Sequence, residues 1–368
     1  MKSALIGVGQ AGGKLVSALH AFDAAENHGA VRHACAVNTA TADLQSLPSA
    51  IETVLVGGSR VAGHGVGGDN ELGAQVMRED VAEVLDAVAV PTEVDALFVV
   101  AGLGGGTGSG GAPVLVQELA RVYDRPVYAV GVLPGRNEGA MYQVNAGRSL
   151  KTLAREADAV LLVDNDAFRQ AGESLGSGFD RINEAIARRL GLLLAAGEST
   201  GTIAESVVDA SEVINTLRNG QLAALGYADA AAAPEPAENV NVVTSLTRQA
   251  LLTGTSVDVD SADAALVVVA GRPSAIPRKG VERARRWVEG ETGSMQVRGG
   301  DFPLRSDSLA SLVLLSGVER SSRLESFFER AREARPRPVD GAAGGDEANA
   351  DADTDAASEW AVDELDDL

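Results

Sequence analysis

Short apolar runs alternate with longer amphipathic stretches through the first half of the chain. Residues 3–8, 33–37, 53–56, 96–101, 127–132 and 159–163 are near-continuous apolar runs of strand length. Between them, 13–22, 71–88, 112–123 and 142–155 repeat their apolar residues at helical spacing. Strands that are apolar on both faces and alternate with helices predict βαβ units. The fold class that follows is α/β, a Rossmann-like parallel sheet covered by helices on both faces. Residues 179–194 are apolar on more than one face and predict a buried central helix.

The pattern changes near residue 239, after the break AAAPEPAE. A helix over 242–252, strands over 264–270, 294–297 and 309–315, and an arginine-bearing helix over 278–291 predict a smaller α+β domain. A last helix over 320–335 is ended by Pro336 and Pro338. The division expected is 1–178 for the first α/β domain, 179–238 for the central helix and the loop after it, 239–338 for the α+β domain, and 339–368 for a tail. That tail holds eleven acidic residues and no basic one, too little apolar surface to order itself.

Composition narrows the class. A net charge of −21 with only four lysines argues against nucleic acid as a partner, because neutralising phosphates needs basic surface. The acidity reads as a solvated face with an acidic tail, or as adaptation to high salt, which the scarcity of lysine favours. No apolar run approaches the roughly 20 residues of a membrane span. The single cysteine, Cys35, excludes an internal disulfide and fits a cytoplasmic protein. The four histidines have no metal-ligand spacing.

Two glycine-rich loops carry the chemistry. Gly7-Val-Gly-Gln-Ala-Gly-Gly13 follows the first strand and matches GxGxxG, a weak signal alone; AGLGGGTGSGG over 101–111 follows the strand at 96–101. Bare amides at the positive end of a helix cradle phosphate, and the hydroxyls of Thr107 and Ser109 would add donors. Pro113 suits an early position of the following helix, where a missing N–H is harmless. A polyphosphate is the ligand class implied. No lysine followed by Ser or Thr closes either loop, so a Walker-type site is excluded. The second strand ends Val37-Asn38-Thr39 without the acid that a Rossmann dehydrogenase uses to hold ribose, which leaves a nicotinamide enzyme resting on GxGxxG alone.

The segment Gly104–Gly110, GGGTGSG, together with Gly9-Gln-Ala-Gly12, resembles the tubulin/FtsZ superfamily of GTPases. GHGVGGDNELG, MYQVNAGRSLKT and VDNDAFR are most similar to the archaeal tubulin-like CetZ group. The resemblance implies GTP or GDP with Mg2+ as cofactors and assigns roles residue by residue. Gln10, Ala11, Gly12, Gly13 and Lys14, with Gly106, Thr107 and Gly108, would line the phosphates, and Asn38, Gly104, Gly105 and Ser109 would belong to the same nucleotide site. Glu138 matches the ribose-binding acid, and Asn165, Phe179 and Asn183 match the guanine contacts. Phe179 and Asn183 are four apart and share a helical face, so one can stack while the other reads the base edge. The arginine that FtsZ carries after its ribose glutamate is absent, and Tyr142 stands nearby instead. No residue pattern fixes the magnesium ligands; Asp69 and Glu71 are candidates, and a solvated loop fits them as well.

The resemblance places the catalytic acids after the central helix, at Asp209 and Glu212, where FtsZ has Asp-x-x-Asp preceded by Asn and this chain has Val207. Asn183 and the helix end near Ala196 are separated by roughly 20 Å at about 1.5 Å per residue. The acids therefore cannot reach their own nucleotide and would act across a head-to-tail contact, which builds a homopolymer if it does not close. Asp-x-x-Glu is also a capping-box pattern, and both roles can hold together. The function implied is a GTP-hydrolysing cytoskeletal protomer concerned with cell shape or motility in a halophilic archaeon, with co-assembly with paralogues in view. The alternative is a GTP-binding scaffold that hydrolyses little. Trp360, Val362, Leu365 and Leu368 at the end of the tail suggest a peptide that docks on protein partners.

Overall fold

The computed structural model describes residues 1–168, 175–196 and 208–333, apart from 219, 221, 256, 305 and 320. The tail over 339–368 and Val207 lie outside the described residues. The first part runs β1 (Ser3–Val8), α1 (Gly9–Glu26), β2 (Val31–Asn38), α2 (Thr41–Gln45), β3 (Glu52–Leu55), α3 (Gly58–Val61), α4 (Asn70–Glu79), α5 (Val81–Val88), β4 (Ala96–Gly102), α6 (Gly106–Val122), β5 (Val127–Leu133), α7 (Ala140–Glu156) and β6 (Ala159–Asp164). It continues through α8 (Leu175–Ala196), α9 (Ala210–Leu217), β7 (Leu222–Ala231), α10 (Asn239–Gly254), β8 (Ala264–Gly271), α11 (Arg278–Thr292), β9 (Gln296–Pro303), β10 (Ser308–Ser316) and α12 (Ser322–Glu333).

The ten strands among the described residues form one sheet in the order β3-β2-β1-β4-β5-β6-β7-β10-β8-β9. All pairs from β3 to β7 are parallel, as are β8 and β9, whereas β10 is antiparallel to both β7 and β8. The α+β region is thus not a separate sheet: it continues the first one through β7. Period-two side-chain alternation splits the core into two faces. Leu97, Val99 and Ala101 of β4 face α4 to α7, with Val76, Leu115 and Leu150. Ala96, Phe98 and Val100 face α1 and α8, with Leu15, Leu19, Ile182 and Leu190.

Four expectations are corrected. Strand β7 lies within 179–238, where the sequence predicts only helix and loop. Its sequence LAALGYADAA is alanine-rich and of low strand propensity, and pairing on both edges imposes the strand. The helix expected over 71–88 breaks at Asp80, whose carboxylate accepts the Gly57 N–H at 2.6 Å. The strand expected over 294–297 runs instead over Gln296–Pro303, in parallel register with β8. Finally, α6 begins at Gly106 and not near 112, so Pro113 stands inside the helix as its eighth residue and not in its first turn.

Packing explains that early start despite the penalty of about 1 kcal/mol for each helical glycine relative to alanine. A Cβ on Gly110 would stand 2.0 Å from the Asn70 carbonyl oxygen, and one on Gly73 would stand 2.3 Å from that of Gly106. Helices α4 and α6 touch backbone to backbone, and only glycine permits it.

Candidate functional site

The strand order reverses direction of growth between β1 and β4, and the crevice outside their carboxyl ends is where open α/β sheets bind ligands. Here α1 starts at Gly9 and α6 at Gly106, so two helix N-termini converge side by side. Neither has an acidic residue in its first turn, which leaves both positive ends uncompensated. A cleft of about 460 Å³ opens at this point, within the range of small-molecule sites.

The cleft brings together most of the residues singled out from the sequence. Gln10, Ala11 and Lys14 of α1 line it, with Asn38 at the end of β2 and Gly104, Gly105, Gly106, Thr107 and Gly108 at the start of α6. Glu138, Asn165, Phe179 and Asn183 line it too, as does Tyr142. Phe179 is 45% exposed, unusual for a large apolar side chain, and it lines the cleft. Glu138 turns one carboxylate oxygen back onto the Gly135 N–H at 2.7 Å, which fixes the turn at the amino end of α7.

Three residues do not line it. Gly12 is buried against β4, and a Cβ there would stand 2.2 Å from the Val100 carbonyl oxygen. Gly13 packs toward Leu47 and Ala36. Ser109 is buried and turns its hydroxyl onto the carbonyls of Gly105 and Gly106. These positions shape the loops and present no group to the cavity. The Thr107 hydroxyl, expected as a free donor, shares a hydrogen bond of 2.7 Å with the Thr39 hydroxyl. Asp69 and Glu71 also stand outside the cleft. Asp69 caps α4 by accepting the Leu72 N–H at 3.0 Å, and Glu71 pairs with Arg148 at 3.2 Å.

The structure adds residues that sequence reasoning missed. Asp43 of α2 lines the cleft and accepts from Gln10 at 2.8 Å and from Asn38 at 3.0 Å, tying two predicted site residues together. Buried Asn145 of α7 donates to the carbonyls of Gly68 (2.8 Å) and Gly104 (3.0 Å) and so bridges two glycine loops. The sequence carries little trace of this, since Gln143 and Asn145 are two apart in MYQVNAGRS and share no helix face, and only the structure shows both buried.

Asp209 and Glu212 are outside the cleft, at the start of α9. Asp209 accepts the Glu212 N–H at 3.0 Å while Glu212 accepts the Asp209 N–H at 3.4 Å, a closed capping box. Hydrogen bonds from Ser211 and the Glu212 amide hold the Asp209 carboxyl below the usual range, whereas burial pushes that of Glu212 up. Val213 and Leu217 anchor α9 in the core face that also holds α8. Asn183 of α8 lines the cleft, and Ala196 ends the helix roughly 20 Å further on at about 1.5 Å per residue.

A crevice of paired helix N-termini, bare glycine amides and an aromatic–amide pair defines an anionic-nucleotide fold of the α/β type. Residues 2–173 match the GTPase domain of the tubulin/FtsZ family, and 172–333 match the C-terminal domain of tubulin-like CetZ. The tubulin-like protein CetZ2 of Haloferax volcanii is 67% identical over 371 residues, covering 100% of both chains. A structure of CetZ2 from Haloferax volcanii, a GTPγS-bound protofilament, superposes with a TM-score of 0.86 at 70% identity, over 91% of this chain and 98% of that one. The GDP-bound monomer of CetZ1 from the same organism gives 0.84 at 48% identity, over 91% and 99%. The chain belongs to the tubulin-like CetZ family within the tubulin/FtsZ superfamily.

Proposed function

We propose that this protein binds GTP in the cleft, assembles head to tail into a cytoskeletal polymer, and hydrolyses GTP at the contacts between copies. The observation that carries this is the separation of parts. The two uncompensated helix ends, Phe179 and Asn183 meet at one cleft, while the acids Asp209 and Glu212 stand outside it on α9. The amides at the starts of α1 and α6 would hold the phosphates, Glu138 the ribose, and Asn165 and Asn183 the base, with Phe179 stacked on it. The GTPγS-bound protofilament of the CetZ2 relative supports both the ligand and the polymer.

Hydrolysis is phosphoryl transfer to water, which relies on positioning and on charge stabilisation. In the polymer, Asp209 and Glu212 of one copy would orient the attacking water beside the nucleotide held by the next. The raised Glu212 carboxyl suits the acceptance of a proton better than an ordinary surface glutamate. No cluster of three His, Cys, Asp or Glu that could hold a metal exists among the described residues. Magnesium would therefore arrive on the nucleotide phosphates, the usual arrangement for this ion, and neutralise their charge.

We further propose a cytoplasmic role in cell shape or motility in a halophilic archaeon, supported by the acidic, lysine-poor composition and the Haloferax relatives. A second reading, a GTP-binding scaffold of related filaments with little turnover, is favoured by the closed capping box, which already occupies both acids. Sedimentation in molar KCl with GTP or GDP, beside phosphate release, separates the two. GTP-dependent pelleting with release of phosphate supports the first reading, and pelleting without release supports the second. Equal affinity for GTP and ATP would overturn both.

A further inference from the structure

Asn165 follows directly on β6, between two carboxylates that share one arginine. Arg323 of α12 donates to Asp164 from Nε at 2.5 Å and from Nη2 at 2.9 Å, and from Nη2 to Asp166 at 2.9 Å. The fork is shielded: the Arg323 side chain is 11% exposed and that of Asp164 6%. Asp166 in turn accepts the backbone N–H of Arg136 at 2.9 Å and faces its guanidinium at 3.5 Å. Arg136 belongs to the turn that ends in Glu138. One guanidinium is therefore linked, through Asp164 and Asp166, to the residue between them and to the turn that carries Glu138.

The need to hold α12 down does not account for this arrangement. Leu324, Phe327, Phe328 and Ala331 already bury the apolar side of the helix, and Phe328 and Ala331 pack at Gly147 of α7. A buried ion pair adds little to stability compared with apolar residues of similar volume, whereas its geometry is exacting.

We propose that Arg323 is a positioning residue for the nucleoside end of the cleft. Through Asp164 and Asp166 it holds Asn165 and the Glu138 turn in place, so that nucleotide affinity depends on the seating of α12. This rests on the reading of the cleft as a GTP site. Because the Arg323–Asp164 pair is shielded, its part of the coupling persists in molar salt, whereas the exposed Arg136–Asp166 pair is screened there.

The test is equilibrium binding of GTPγS and of GDP to the full chain in molar KCl, for the unmodified protein and for Arg323→Ala, Arg323→Lys and Asp166→Asn. Thermal unfolding of each is recorded with and without nucleotide. Arg323→Ala is expected to weaken both nucleotides roughly tenfold, a typical coupling between separate sites. Arg323→Lys keeps the charge but loses the planar fork, and restores part of the affinity. Asp166→Asn leaves the Arg323–Asp164 pair in place and gives a smaller loss in the same direction. The losses for GTPγS and GDP should match, because the contacts serve base and ribose and not the terminal phosphate.

A lowered unfolding midpoint with unchanged affinity for both nucleotides overturns the proposal, since it leaves a purely structural pair. A loss confined to GTPγS also overturns it. If Arg323→Ala does not fold, unchanged affinity in both Arg323→Lys and Asp166→Asn has the same consequence. Failure of the unmodified protein to bind either guanine nucleotide removes the GTP reading itself, which differs from tight binding that ignores Arg323.

Discussion

Thr39 and Thr107 are both buried and share a hydroxyl–hydroxyl hydrogen bond of 2.7 Å, which ties the chain after β2 to the first turn of α6. Thr39→Val keeps the shape and removes the partner. We expect about 1–2 kcal/mol of lost stability in denaturant unfolding, the cost of a buried hydroxyl left unsatisfied, and near-native behaviour for Thr39→Ser. Equal stability of the valine and serine variants would show that the pair does not hold the loops.

The crossing of α4 and α6 predicts opposite signs for two glycine-to-alanine changes. Gly110→Ala forces a methyl toward the Asn70 carbonyl and the Ala74 amide and should destabilise by about 1–3 kcal/mol. Gly290→Ala, in α11 with open space around it, should stabilise by up to about 1 kcal/mol through helix propensity. Unfolding midpoints of the two variants check both.

Asn183→Ala should weaken GTP binding by roughly 1–3 kcal/mol, through base groups left without a partner, and reduce discrimination against ATP. Competition binding with the two nucleotides measures this. Unchanged selectivity would move the base-reading role away from α8.

Glu212→Ala is expected to slow hydrolysis while leaving GTP affinity nearly intact, and to give over-stable polymers. Asp209→Ala adds loss of the helix cap, about 1 kcal/mol. Mixing an Asp209→Ala/Glu212→Ala protein with one unable to bind GTP should restore some phosphate release, at contacts where intact acids face a bound nucleotide. If the mixture stays inactive while each component still assembles, the acids do not act between copies.

Acidification should destabilise the fold through His28 and His33. Burial lowers the affinity of both for protons, and neither Nε2 has a hydrogen-bond partner. Below the ordinary value of 6.5 the unfolded chain binds the proton first, so stability present above that pH is lost as pH falls. His28 sits between Phe22 and Phe302, at centroid distances of 6.0 and 5.5 Å. His28→Phe should keep that packing and flatten part of the dependence of the unfolding midpoint on pH between 5 and 7.

The strands β1, β2, β4, β5 and β6 were legible within a residue or two because each is a run of apolar residues bounded by turns. Their parallel order followed from the alternation with helices. The glycine loops pointed to an anionic ligand because bare amides at the start of a helix suit one, although Gly12 and Gly110 are also required by close backbone packing. Local signals of this kind survive in the sequence, since each is written in consecutive residues.

What the sequence determined by itself was the βαβ framework and the two glycine-rich loops that follow β1 and β4, features with a period or a spacing, whereas Phe179 and Asn183 stood out only through the resemblance to the tubulin/FtsZ superfamily. Only the tertiary structure decided that β7 is a strand, since alanine and glycine became strand residues there by pairing with β6 and β10. It decided that residues 106–111 are helical, with Gly110 so close to the Asn70 carbonyl and the Ala74 amide of α4 that no Cβ fits there, and that the hydroxyls of Thr107 and Ser109 bond to groups of the protein. It also brought Arg323 to Asp164 across 159 positions and Asn145 to Gly68 across 77. Such pairs leave no period along the chain, because the partners meet only once the sheet has closed and the burial of charge or amide makes each choose the other.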